Sequence, residues 1–492
     1  MEVLSYKYLE NKAKQKDWYL KEAPEKVLQF GEGNFLRAFV DYFIDIMNEK
    51  AGFNGKVVLT QPIAQGTAEL INAQDGLFTL YQRGVQNGEQ VNDRRVVSSV
   101  SRCINPYEDY QALLACAANP DLRFIVSNTT EAGIVFEDDS KFDQEPPSSF
   151  PAKLTRFLYE RYQKGLPGFI ILSCELIDNN GLELKRCVDQ YIKLWQLPEA
   201  FASWNNSENV FCSTLVDRIV TGYPRAEVNQ INEQNGYIDN IVDTCEIFAF
   251  WVIEGPQHIA EEMPFAAAGL PVIVTDDHSP YKQRKVRILN GAHTSMVPAA
   301  WLAGQNIVRE CMQDEVIADY MNQAIFAEII PTLSLPEAEL RDFAASVAER
   351  FRNPYIDHSL LAISLNSISK WKARVMPSVL GYHKVKGELP KLLTFSFAAL
   401  IEFYSRGRKI DDGSFQGSRD NDKYEIKDDQ WVIDFFTEQI GKNSGDLMSA
   451  VVANERMWDD SLLNLPGFAE QAARYLEQIR AEGSYAVMKS LI

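Results

Sequence analysis

Paired cysteines, clustered histidines and long apolar runs are all missing from this chain of 492 residues. Its seven cysteines (Cys103, Cys116, Cys174, Cys187, Cys212, Cys245, Cys311) are scattered and odd in number, with no Cys-x-x-Cys pair, so they read as free buried thiols. Only five histidines occur (His258, His278, His293, His358, His383), and none stands in a His-x-x-x-His or Cys/His cluster that would supply tetrahedral ligands. No metal site is expected. No apolar run approaches the roughly 20 residues needed to span a bilayer, and the start lacks the apolar core of a signal peptide, so the expected location is the cytoplasm. Cationic residues are in deficit, 49 Lys+Arg against 68 Asp+Glu for a net charge of −19. Such a surface repels polyphosphate backbones and anionic membranes, so neither nucleic acid nor membrane is an expected partner. An anionic small substrate would need a local cationic pocket.

What the chain does have is length and alternation. It is too long for one ordinary core, and 46% hydrophobic with 24% charged residues is globular composition, so two large domains are expected. Residues 1–25 are polar and read as a short extension. Lys26 to Phe30 (KVLQF) reads as a buried strand running into Gly31-Glu32-Gly33-Asn34-Phe35. A helix follows, with Phe35, Leu36, Phe39, Val40, Phe43, Ile44 and Met47 at spacings of three and four, and then a second strand over Gly55 to Gln61. The runs Phe124 to Ser127, Gly168 to Leu176, Phe248 to Gly255 and Pro271 to Asp277 continue a parallel α/β pattern. From Lys282 onward the pattern is helical, over Lys285 to Ala303, Glu315 to Ile330 and Leu392 to Tyr404. The boundary is therefore set near 280, an α/β domain over 1–280 followed by a mainly α-helical domain over 281–492. Arg406 to Ile426 reads as a polar surface loop.

Gly31 and Gly33 stand between strand and helix, where backbone N–H groups and the positive helix end can hold a pyrophosphate. Leu36 occupies the usual third glycine position, so the bare pattern also fits a tight turn. Gln61 ends the second strand, where many NAD enzymes bind the ribose 2′-hydroxyl; an amide can do so, and a solvated strand end is the plainer reading. Lys285, Asn290 and His293 would fall within about 140° of one α-helical face. Carbonyl reduction needs a proton donor and neutral donors at the forming alkoxide, roles for Lys285 and Asn290 with His293 as orienter; a surface lysine and a core histidine is the bland alternative. Gly291 would open the backbone to a ligand. Asn128-Thr129-Thr130-Glu131 follows a strand's carboxyl end, as a proton path or a capped turn. Arg350 to Pro354 and Asn366 to Arg374 form a cationic cluster that suits a carboxylate, or a solvated helix face.

Together these stretches resemble the polyol-specific long-chain dehydrogenases, the group of mannitol dehydrogenase and the hexuronate-pathway reductases. The resemblance spans nearly the whole chain and is carried by Lys-x4-Asn-x2-His (Lys285, Asn290, His293) and Gly-x-Gly-x-Phe-x-Arg (Gly31, Gly33, Phe35, Arg37). Thr130-Glu131, Val216 to Ile219, Arg350 to Pro354 and Ser369-Lys370 add to it. It implies an N-terminal Rossmann-like domain, a mainly helical C-terminal domain, and NAD as cofactor, bound through Gly31, Gly33, Asn34, Phe35, Arg37, Gln61, Thr130 and Glu131. Lys285, Asn290 and His293 are implied as catalytic. The stretches VRILNGAHTSMVPAAWLAGQ and CELIDNNG look closest to members that reduce keto-uronates, with D-tagaturonate to D-altronate the implied reaction. Fructuronate reduction, mannitol oxidation and a nucleotide-binding sensor without turnover are the alternatives, and a monomer or small homo-oligomer is expected. Two positions depart from mannitol dehydrogenases. Leu176 replaces an asparagine that donates to the oxyanion, so that either Asn179 or Asn180 takes that role from the adjacent turn, Asn180 being the candidate substrate contact, or Asn290 acts alone; Ala362 replaces an arginine, shifting carboxylate recognition toward Lys370, Lys372 or Arg374.

Overall fold

The computed structural model describes residues 1–11, 17–130, 132–410, 414–419 and 422–492. It divides into two compact units, Met1–Arg83 with Gln90–His278, and Gly84–Glu89 with Ser279–Ile492.

Short runs of aliphatic and β-branched residues, apolar on both faces, make strands that need cover on both sides. Such runs make most of the eight strands of the main sheet of the first unit: β1 (Glu25–Phe30), β2 (Lys56–Thr60), β3 (Val100–Ile104), β4 (Phe124–Ser127), β5 (Ile170–Ser173), β6 (Val210–Asp217), β7 (Phe250–Glu254) and β8 (Val272–Thr275). Their order is β3-β2-β1-β4-β5-β6-β7-β8, parallel throughout except between β6 and β7. The chain steps outward from β1 to β3 on one side and from β4 to β6 on the other. The order thus reverses between β1 and β4, the place where open α/β sheets hold ligands at their carboxyl ends. Within β1, Val27 joins the core on one face while Leu28 and Phe30 join the core on the other.

The helical segment after β1 runs from Asn34 to Ala51, with a π-helical turn over Arg37–Asp41. Phe39 and Phe43 pack on Trp251 of β7, ring centroids 5.6 and 6.4 Å away, and each such buried side chain contributes roughly 1.5–3 kcal/mol. Gly52 stops the segment in the left-handed region, φ +66°, with its N–H on the Met47 carbonyl.

One expectation is corrected in this unit, and two elements are added to it. The first residues are no loose extension: Leu4, Tyr6, Tyr8 and Leu9 are buried with Leu77, Val96 and Tyr237. The buried Lys56 ammonium fastens them, donating to Tyr6 Oη at 2.9 Å and to the carbonyls of Leu20 and Ser98. Strand β3 was not anticipated, because its edge position leaves Ser101 and Arg102 partly or fully exposed and breaks the apolar run. Nor was the smaller sheet, in the order Glu89–Val97, Phe78–Gln86, Asp243–Glu246, whose edge strand Glu89–Val97 is polar over Asn92 to Arg95.

Beneath the Gly31 turn, Gln29 Nε2 donates to the Gly31 carbonyl at 3.0 Å and to Asp41 Oδ2 at 3.2 Å. Burial raises the Asp41 carboxyl to about 8, against the opposing pull of the Gln29 hydrogen bond and Arg37. A carboxyl whose folded pKa is raised adds stability below its unfolded pKa, and that stability is lost as pH rises through about 8. Asp41→Asn should therefore narrow the gap in melting temperature between pH 5.5 and pH 8.5; calorimetry showing an unchanged gap would contradict this.

The second unit is mainly helical. Lys391–Ser405 is buried from Leu392 to Tyr404, apolar all round as a central helix must be, and Gly291–Leu302 and Phe468–Glu482 pack against it. Arg406 to Ile426, expected as a surface loop, instead contributes an antiparallel sheet of Arg408–Lys409, Phe415–Arg419 and Asp422–Glu425. It is held by a few contacts that composition hides. Tyr424 meets Trp301 edge-on at 5.1 Å, and Arg419 lies 3.7 Å over the Trp301 ring and donates to the carbonyls of Trp301 and Gln305.

Candidate active site

In the first unit the candidate cofactor residues gather at the carboxyl ends of β1, β2 and β4. Gly31 adopts φ +123°, and a Cβ there would lie 3.1 Å from the Asn128 carbonyl oxygen at the end of β4. Only glycine suits that turn. Gly33 is extended at the start of the helical segment, and nothing lies within 4 Å of the position its Cβ would take. The first N–H groups of a helix have no partners within it, so Asn34 and Phe35 present donors and the positive helix end toward open space. That is a fit for a diphosphate.

Two residues expected beside this loop are committed elsewhere. Arg37 is buried, donating to the carbonyls of Glu32 at 3.2 Å and Ile241 at 2.7 Å and to Asn34 Oδ1 at 2.6 Å, and it lies over the Phe78 ring. It braces the loop from below. Gln61 is also buried, its amide nitrogen donating to the carbonyls of Ile63 and Ala64 and its oxygen accepting from the Ala68 N–H. It shapes the turn after β2 and offers no free donor to a ribose.

At the end of β4, Thr130 is exposed with φ +78°, a strained conformation for a β-branched residue. Glu131 lies outside the described residues. Glu175, a residue given no role from sequence, fastens this turn: its carboxylate accepts from Ser127 Oγ, Thr129 N–H and Thr129 Oγ, each at 3.1 Å. Burial raises its pKa while those bonds lower it. Asn180, the candidate substrate contact, follows Asn179, which takes φ +52°. Asn180 is buried, and both its amide hydrogens are spent, on the carbonyls of Glu175 at 2.9 Å and Thr214 at 3.0 Å.

In the second unit Lys285–Asn290 forms a π-helical turn that leads into the α-helix Gly291–Leu302. The Gly291 N–H reaches the carbonyl of Val286, five residues back. In an α-helix residues five apart are offset by about 140°; a turn bonded five residues back is wider, with fewer degrees per residue, so it reduces that offset and brings Lys285 and Asn290 closer to one line. Arg284 anchors the preceding turn, paired to Glu339 at 2.6 Å and stacked 4.4 Å over Phe343. Gly291 serves helix packing: a Cβ there would lie 3.1 Å from the Arg374 carbonyl, so the close approach expected of a ligand is made by backbone.

His293 stacks on Phe351, centroids 3.9 Å apart and planes within 10°. Its Nε2 is buried and finds no hydrogen-bond partner among the described residues. Burial lowers its pKa well below the usual imidazole range, helped by His358, Arg350 and Arg374. Arg374 Nη1 reaches Thr294 Oγ1 at 3.5 Å, one residue beyond His293. Lys370 is half-buried, donates to the Ile363 carbonyl at 2.9 Å and is held below its usual range by burial and Arg374, with Asp428 opposing. Lys372, by contrast, pairs with the exposed Asp459 at 2.8 Å and belongs to a solvated face.

The helix that carries Lys370 and Arg374, Ser367–Arg374, is fixed at its start. Asn366 takes φ +53°, the Ser367 N–H donates to Tyr404 Oη, and the Ile368 N–H donates to Asp428. Tyr404 itself donates to Asp428. These anchors come from residues 404 and 428, far outside the motif. Among the described residues no group of three or more His, Cys, Asp or Glu could hold a metal ion, and no helix is long and apolar enough to cross a membrane.

Residues 25–266 match the family model of the mannitol dehydrogenase Rossmann domain, and residues 277–480 match that of the mannitol dehydrogenase C-terminal domain. Among relatives, an altronate oxidoreductase of Klebsiella pneumoniae (strain 342) is 46% identical over 471 residues, 94% of this chain and 95% of that one. An altronate oxidoreductase of Enterobacter sp. (strain 638) is 44% identical, covering 95% and 97%. Two solved structures share the fold. A mannitol 2-dehydrogenase of Pseudomonas fluorescens, in ternary complex with NAD and D-mannitol, superposes with a TM-score of 0.68 at 22% identity, covering 100% of this chain and 99% of that one. A substrate-free D-sorbitol dehydrogenase gives 0.81 at 20%, covering 99% and 100%.

Proposed function

The chain belongs to the mannitol dehydrogenase family, and we propose that within it this protein interconverts D-tagaturonate and D-altronate by hydride transfer with NAD as cofactor. Supporting this, relatives at 44–46% identity over most of the chain carry the name altronate oxidoreductase. The Gly31 and Gly33 loop and the first helical N–H groups would hold the diphosphate of the cofactor, whose reduced form supplies the hydride. In the reducing direction Lys285 delivers a proton to the carbonyl oxygen as charge grows on it, Asn290 donates a hydrogen bond to the same oxygen, and His293 orients the substrate hydroxyls.

The observation that carries the substrate class is electrostatic. In a chain of net charge −19, the cations that act on His293 are Arg350 and Arg374, with the His358 ring beside it, and Lys370 joins Arg374. A carboxylate relieves that accumulation, whereas a neutral polyol does not. Tagaturonate, fructuronate and fructose with NADH or NADPH, and mannitol with the oxidised cofactors, form the deciding panel. Tagaturonate with NADH should give the fastest oxidation of cofactor; protein that binds NADH yet leaves tagaturonate untouched would sink the reading. Lys370→Gln should raise KM for tagaturonate about tenfold, in line with a lost charged hydrogen bond, and leave KM for NADH unchanged. An equal rise in both would argue against a substrate contact.

A further inference from the structure

We propose that His358 is a further substrate-recognition residue, its ring donating a hydrogen bond to the carboxylate of the sugar acid beside His293; the inference rests on the sugar-acid reading above. His358 is an exposed residue, and its ring meets that of His293 edge-on, centroids 5.3 Å apart and planes at 89°. It therefore stands at the accessible border of an imidazole whose Nε2 is buried and unpartnered.

Its backbone is fixed on both sides. Arg309 pairs with Asp357 at 2.6 Å and donates to the Pro354 carbonyl at 2.7 Å. The His358 carbonyl accepts from Val308 N–H at 3.0 Å. Ser359 bridges to Ile307 and caps the helix Leu360–Ile363 through its hydroxyl. A loop tied down at residues 354, 357, 358 and 359 fixes where the ring is carried, so that little backbone ordering remains to be made on binding.

The surroundings select an anion. His358 faces His293 from the helix Gly291–Leu302 and feels the charge of Lys370 from the helix Ser367–Arg374, while Arg350 and Arg374 act on the His293 ring. The Asp357–Arg309 pair beside it is internally balanced. Burial and Lys370 hold the His358 imidazole below its usual range, so an arriving carboxylate favours proton uptake there. Affinity for the acid should then weaken as pH rises from 6 to 8.

The test uses the full-length protein and two variants. His358→Phe keeps a ring against His293 and removes both nitrogens; His358→Gln restores a donor. The Phe variant should raise KM for tagaturonate and altronate about tenfold, the size of a lost hydrogen bond to a charged group. Its kcat, its NADH affinity by fluorescence titration and its melting temperature should stay close to those of the parent. The Gln variant should recover most of the loss, and the fall in acid affinity between pH 6 and pH 8 should be shallower in the Phe variant than in the parent. An unchanged KM in the Phe variant, a loss confined to kcat, or an equal loss of NADH affinity overturns the assignment while leaving the sugar-acid reading in place. A parent protein that turns over no sugar acid overturns both.

Discussion

Lys285→Ala should lower turnover of tagaturonate by about 10²–10⁴-fold, the usual worth of a positioned general acid, with NADH affinity left within about twofold of the parent. The residue opens the π-helical turn, and the preceding Arg284–Glu339 pair and the Arg284 stack on Phe343 fix the direction in which that turn begins. Alanine suits a helix at least as well as lysine, so the fold should survive. Because the side chain is proposed to meet the reacting oxygen, the loss should appear in single-turnover hydride transfer and be partly relieved by small primary amines added to the buffer. Turnover within a few-fold of the parent would remove Lys285 from the chemistry.

Asn290→Ala comes next, with an expected loss of about 10²–10³-fold in kcat, the range found when one donor to a developing oxyanion is removed. The size of the effect depends on whether another amide can stand in. Asn180 cannot without breaking its bonds to the Glu175 and Thr214 carbonyls, and the neighbouring Leu176, though exposed, has no donor. An interaction made only as charge develops lowers kcat and kcat/KM together. A variant in which KM rises and kcat holds would mean that Asn290 binds the ground state, and its oxyanion role would fall.

The two-part α/β and helical architecture was legible because it rests on local signals. The strand Lys26 to Phe30, the glycines after it and the three-and-four spacing from Phe35 to Met47 each declare themselves within a short window, and the structure forms β1, the turn and the helical segment there. Side-chain commitments were not legible in that way. Arg37 stands where a loop residue would meet a cofactor, yet its shortest backbone bond is to the carbonyl of Ile241, a partner that no motif around residue 37 contains. The internal bonds of Gln61 and Asn180 were hidden for the same reason: a motif names a residue type at a position, whereas the direction of the side chain depends on which strands become neighbours. His358 went unassigned because it belongs to no spacing pattern. Its scarcity, one of five histidines in the chain, was the only available signal, and it becomes informative once the ring is found against His293.

The π-helical turn over Lys285–Asn290 was invisible to periodicity, since five-residue bonding leaves no repeat in so short a stretch. It absorbs one extra residue between two lengths of ordinary helix. Wound at α-helical pitch with all six residues kept, the segment would hold Lys285 and Asn290 about 140° apart, and the lysine would swing away from the asparagine with which it is proposed to work. Deleting one residue inside the turn would instead leave the two four apart, about 40° around an ordinary helix. The pairing of these side chains therefore tolerates a shortening of this turn better than a straightening of it.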